Sequence, residues 1–209
     1  MTMPALIANY KKQIYVTSLK KFYTEFSQVI LKAKADTGCS DMECLGFWGD
    51  VNDEAWINRM KDFFGKYYNV VEFCKGKNSC EESSYSVLGV YQEQLFRAEH
   101  FSLVTADGFV IRIQPSTMAS EWTSVTVDIN GSKKPNALGR DIFLFRIHNK
   151  NATFHPYYGL YYSNAIGAAH VYWKNNEDLC GWDNNPLPVN LKGYGCAARV
   201  IESGWKMNY

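Results

Sequence analysis

Asp128, Asn130 and Asp141 are the side chains of this sequence best suited to holding a cation. They set two carboxylates and an amide oxygen around a loop that contains Gly131 and Gly139, and calcium accepts six or more oxygen ligands at flexible angles. Their spacing is not that of an EF-hand. The same residues serve equally as turn formers, with Asp128 and Asn130 bonding nearby backbone and Gly131 at a position of positive φ. Both roles stand open at this level, with calcium as the candidate cofactor. His100, His148, His155 and His170 are scattered, none beside a Ser or Cys in a G-x-S-x-G nucleophile turn. Gly193-Tyr194-Gly195 is too short to cradle a phosphate. The expectation is a protein that acts by binding or packing, with no catalytic residue assigned.

The six cysteines, Cys39, Cys44, Cys74, Cys80, Cys180 and Cys196, stand among Gly, Ser, Asn and Asp rather than in apolar runs. They form an even set in which sequence neighbours pair naturally, which predicts three local disulfides and an oxidising compartment. The spacings depart from the usual zinc knuckle and no His lies nearby, so a zinc cluster is disfavoured. The chain also carries 14 Tyr and 6 Trp. Tyr157, Tyr158, Tyr161, Tyr162, Tyr172, Trp173 and Trp182 crowd one polar, Asn-containing stretch. Rings beside amides suit sugars, stacked bases or a neighbouring protein, or they pack on one another.

The elements that must position these groups are legible in the apolar spacing. From Pro4 to about Asp36 there is no Gly and no further Pro, and apolar residues recur in steps of three and four, with one step of five after Ile14, including Leu6, Tyr10, Ile14, Leu19, Phe22, Phe26, Val29 and Ala33. That pattern predicts one long amphipathic helix stopped by Thr37-Gly38. Such a rod is too long for the head that follows, and it should protrude at its N-terminal end. A second helix is expected from about Asp53 to Tyr68, capped by Asn52 or Asp53. Past Ser84 the period falls to two. Ser102–Thr105 and Phe109–Ile113 around Ala106-Asp107-Gly108 read as a hairpin, Thr123–Ile129 and Ile142–Ile147 as strands, and Gly195–Ile201 as a short helix. The fold class is α+β: residues 1–36 form the helix, and residues 37–209 form a head with an antiparallel sheet and an irregular, disulfide-pinned C-terminal region.

Charge narrows the partners. The chain has 22 Lys+Arg against 21 Asp+Glu, a net +1, so no global basic field points to nucleic acid. Residues 1–36 are locally basic, with Lys11, Lys12, Lys20, Lys21, Lys32 and Lys34 facing only Glu25 and Asp36. This is either a solvated helical face or a surface for anionic lipid or DNA. No run of about 20 apolar residues is present to span a bilayer.

Three pieces resemble the type IV pilin and type II secretion pseudopilin family, bacterial proteins with a prepilin-type N-terminal cleavage and methylation segment. They are Thr2-Met3-Pro4-Ala5-Leu6-Ile7-Ala8-Asn9-Tyr10-Lys11-Lys12-Gln13 with Leu19-Lys20-Lys21-Phe22-Tyr23; Val127-Asp128-Ile129-Asn130-Gly131, Lys134-Pro135-Asn136 and Gly139-Arg140-Asp141-Ile142-Phe143; and Gly195-Cys196-Ala197-Ala198-Arg199-Val200-Ile201-Glu202-Ser203-Gly204-Trp205-Lys206. The resemblance implies a ladle, in which a protruding helix is followed by a sheet packed on its C-terminal half. It implies a filament subunit whose partners are other pilin-like subunits, packed through Leu6, Tyr10 and Ile14, and a subunit held in the inner membrane before assembly at the cell surface. The family's leader and membrane-spanning half-helix are not in the sequence, which starts where that apolar stretch would end. Major pseudopilins hold calcium in a loop between sheet strands, a place similar to residues 128–141. The alternative within the resemblance is a minor subunit that binds DNA or glycan for uptake or adhesion.

Overall fold

The computed structural model describes residues 3–74, 80, 85–87, 90–92, 100–115, 121–131, 133–157, 159–164, 167–172, 180 and 193–209. Helix α1, Met3–Thr37, runs unbroken for 35 residues, about 52 Å at the usual helical rise. It ends where the Gly38 N–H returns to the Lys34 carbonyl. Helix α2, Glu54–Tyr67, starts at Asp53, whose carboxylate accepts from the Ala55 N–H. Its buried residues Trp56, Met60 and Phe64 lie four apart, one face of the helix.

The strands are β1 (Val70–Cys74), β2 (Tyr85–Val87), β3 (Val90–Gln92), β4 (Phe101–Thr105), β5 (Val110–Gln114), β6 (Trp122–Asp128), β7 (Ile142–His148), β8 (Phe154–Pro156), β9 (Gly159–Asn164) and β10 (Gly167–Tyr172), followed by helix α3 (Cys196–Glu202). A six-stranded sheet has the order β1-β4-β5-β6-β7-β8, antiparallel throughout. Strands β4 to β8 form a meander, and β1 adds to its free edge. The predicted hairpin is β4–β5, closed by the Gly108 N–H on the Thr105 carbonyl at 2.9 Å. Two small hairpins, β2–β3 and β9–β10, stand apart from this sheet.

The head is more regular after Phe154 than the sequence suggested. Leu160-Tyr161-Tyr162-Ser163 shows no clean alternation, yet residues 159–164 pair along their full length with residues 167–172, so backbone hydrogen bonding rather than side-chain pattern defines these strands. Tyr158, Trp173 and Trp182 of the aromatic stretch lie outside the described residues.

Helix α1 packs on one face of the sheet. With period two, Val125 and Val127 on β6 stand opposite Phe145 and Phe143 on β7, and all four are buried in the core. Phe22 sits at the centre, its ring 5.3 Å from Phe145 and 6.1 Å from both Phe109 and Phe154. Phe26, next on the same face, meets Phe154, Phe64 and Tyr68 and so joins α1 to β8 and α2. Leu19 to Ala33, in the C-terminal half of α1, thus share one core with the head. The six cysteines form Cys39–Cys44, Cys74–Cys80 and Cys180–Cys196. Among the described residues no helix is long and apolar enough to cross a membrane.

Candidate functional site

The loop from β6 to β7 brings two of the three expected ligands into direct contact. Asp141 is fully buried. Its Oδ2 accepts from the Asn130 side chain at 3.0 Å and from the Asn136 N–H at 2.9 Å, and its Oδ1 accepts from the Ala137 N–H at 2.6 Å. Asp128 accepts from the Asn130 N–H at 3.1 Å. Gly131 has φ +67°, and a Cβ there would come within 2.9 Å of the Gly108 carbonyl, so this turn seats directly on the β4–β5 hairpin. The Lys134–Pro135 peptide is cis.

These bonds give the three residues the turn role. Burial pushes the Asp141 carboxyl up, while the Ala137 and Asn136 N–H groups and the Asn130 amide oppose that rise. A cation would compete with those donors for the same oxygens. Two neutral oxygens remain on the loop, the Oδ1 atoms of Asn130 and Asn136, both buried without a hydrogen-bond partner among the described residues. Asn136 was not singled out in the sequence, because only the folded turn carries it to Asp141. Elsewhere among the described residues, Glu72, Cys74 and Cys80 bring three potential metal ligands together, but the two sulfurs are joined as a disulfide and offer no thiolate.

The helix stripe has a different geometry. Leu6 is 60% exposed, Ile7 53%, Tyr10 64% and Ile14 43%. At about 100° per residue these four lie within one arc, turned roughly 130° from the arc of Leu19, Phe22, Phe26, Val29 and Ala33 that faces the core. The apolar stripe at the start of α1 is therefore a second face, not a continuation of the first. Residues 6–11 are all exposed, so the first turns of α1 extend past the core. The C-terminal segment reaches along the core side of the helix, where Ala8, Lys11, Lys12 and Tyr15 line a cleft with Gly139, Arg140, Met207 and Tyr209. What α1 leaves uncovered is its N-terminal end, with the apolar stripe along one side of it.

The structure also gathers histidines that looked scattered. On the sheet face away from α1, the Trp122 ring lies 4.7 Å from His148 and 5.3 Å from His155. Arg146 stacks on Tyr157 at 3.6 Å and near Trp122 at 5.4 Å, and it also donates to the Tyr157 hydroxyl. Strand register does this: Trp122 pairs with His148, and Arg146 with His155. Burial first, and then Arg146, lower the His155 pKa, so the ring favours its neutral form. These groups form an aromatic and cationic stack with no nucleophile or carboxylate among their described contacts. The side chain of His170 lies outside what is described.

Comparison with protein-family models, with characterised proteins and with solved structures found no match to this chain.

Proposed function

We propose that the protein is a structural subunit of a filament of the type IV pilus or type II secretion pseudopilus kind, working by packing rather than by turnover. The observation that carries this reading is the apolar stripe Leu6, Ile7, Tyr10 and Ile14, presented on a face of α1 that the chain's own head does not use. The resemblance of three sequence segments and the helix-on-sheet arrangement support it. The filament would stand at the cell surface, assembled from subunits first held in the inner membrane.

Magnitudes fit assembly by many weak contacts. Covering the four half-exposed side chains on each of two copies is worth on the order of 8 kcal/mol, and association gives back at least about 4 kcal/mol of that in lost freedom. A single pair of copies should therefore associate in about the millimolar range, with stability coming from each helix touching several others. The test uses the full chain. All native cysteines are in disulfides, so Tyr10→Cys introduces one free thiol on the stripe and Thr24→Cys one on an exposed polar position of the same helix. Under mild oxidant at high concentration, Tyr10→Cys should cross-link to dimers well ahead of Thr24→Cys, and adding Leu6→Ser and Ile14→Ser should abolish that lead. Equal cross-linking of the two thiols would refute the packing role.

A second reading, a minor subunit that binds DNA, is supported by the six lysines against two acids in residues 1–36. Its test is a gel shift whose affinity falls steeply with added salt.

A further inference from the structure

We propose that the cleft between the first turns of α1, the Gly139-Arg140 turn and the C-terminal segment is a binding site for one phosphate group. The cleft holds about 270 Å³ and is lined by Ala8, Lys11, Lys12, Tyr15, Gly139, Arg140, Met207 and Tyr209. Three of its eight residues are cationic, and they come from two elements that are far apart in sequence.

The walls are fixed before any ligand arrives. Lys12 Nζ donates to the main-chain oxygen of Tyr209 at 2.6 Å. The Tyr209 hydroxyl donates to the Gly139 carbonyl at 2.7 Å, and its ring lies 5.2 Å from the Arg199 guanidinium. Arg140 stands on a tight turn closed by its own N–H on the Ala137 carbonyl and by the Gly139 N–H on Ile142. Gly139 is itself required there: it has φ +80°, and a Cβ would strike the Cys196 Sγ at 2.4 Å.

Charge then selects the ligand. Among the described residues no ion pair engages Lys11 or Arg140. Asp141, next in sequence to Arg140, does not neutralise it by contact, because its carboxylate is turned inward onto the Asn136 and Ala137 N–H groups. Two lysines and an arginine line this space, with the Asp141 and Asp128 charges also acting at Tyr15, and such a set of cations matches a tetrahedral dianion with several oxygens better than a single carboxylate. The Ala8 and Met207 side chains and the Tyr15 ring offer apolar contact to whatever carries the phosphate. A volume of this size takes a headgroup or a small ester, not a duplex. Two sources share that chemistry, a free phosphate monoester and a lipid headgroup.

The test titrates inorganic phosphate into the full chain at constant ionic strength and follows the backbone amide resonances of residues 8–15 and 139–140. Saturable shifts confined to those amides are expected, with affinity about ten-fold lower in Arg140→Gln and in Lys11→Gln and unchanged in Lys32→Gln. Binding should also strengthen between pH 5.5 and 7.5, as phosphate gains its second charge near pH 6. A second arm measures co-sedimentation with vesicles that contain phosphatidic acid, a lipid phosphomonoester, and with phosphatidylcholine vesicles. Selective binding to the former, lost in Arg140→Gln, assigns the phosphate to a lipid. Phosphate binding without vesicle binding assigns it to a soluble ester. Either result supports the site. No saturable shift, or equal losses in Lys32→Gln, overturns it. The inference stands apart from the filament reading, since Arg140→Gln leaves Leu6, Tyr10 and Ile14 intact and should not alter cross-linking through Tyr10→Cys.

Discussion

Replacing Phe22 by alanine tests how α1 is divided between anchor and free face. Phe22 is fully buried and its ring meets Phe26, Phe109, Phe145 and Phe154 at 5.4, 6.1, 5.3 and 6.1 Å. Phe→Ala in a packed core costs about 3–5 kcal/mol, and the loss of several edge-on ring pairs places this site in the middle of that range or above it. We expect about 4 kcal/mol, read as a fall of roughly 1.5 M in the urea midpoint for a chain of this size. Tyr10→Ala on the same helix is the control. Tyr10 is 64% exposed, and the better helix propensity of alanine offsets part of any lost contact, so its stability should stay within about 0.5 kcal/mol. Urea unfolding followed by circular dichroism, with disulfides intact and slopes compared, measures both. If Tyr10→Ala costs as much as Phe22→Ala, the first turns of α1 are packed within the chain and the free stripe does not exist. If Phe22→Ala costs under about 1 kcal/mol, the aromatic cluster does not anchor the helix.

Three further outcomes follow from the loops. Asp141→Asn turns an amide toward one of three donors that now point at the carboxylate, so it should cost about 2 kcal/mol at neutral pH. Burial raises the folded Asp141 pKa, so the native state holds this proton more tightly than the unfolded chain, and the group's contribution to stability falls as pH rises through the folded value. The deficit of the Asn variant, measured by urea melts across pH, should therefore be larger in acid and shrink toward neutrality. Calcium added to chelator-treated protein should leave the thermal midpoint unchanged, because Asp141 already spends both oxygens on N–H groups; a rise of several degrees would show that Asp128, Asn130 and Asp141 exchange those bonds for a cation. Removing the Cys180–Cys196 bridge as the double alanine variant should cost about 3 kcal/mol by loop entropy, with added loss where the Cys196 sulfur packs against Gly139. A calorimetric melt reports it.

What the sequence determined is whatever depends on near neighbours. Steps of three and four in the apolar residues marked α1 and α2, Asn52 or Asp53 could be named as the cap and Ala106-Asp107-Gly108 as a turn, and the even set of cysteines pointed to local pairing. Each of these rests on local backbone geometry or on the small entropy of closing a short loop, so a few consecutive residues suffice. The strands between Phe154 and Tyr172 escaped notice because hydrogen bonding to a paired strand, not alternation, defines them. Which helix stripe is covered was decided only in the tertiary structure: the step of five from Ile14 to Leu19 already turns residues 6–14 away from 19–33, but only packing on the sheet shows that the second stripe is buried and the first left exposed. The same holds for Asn136 beside Asp141, for His148 beside His155, and for Lys11, Lys12 and Arg140 around one cleft. Strand register and the docking of α1 bring those groups together across more than a hundred residues in the last case, and no local pattern encodes a meeting at that range.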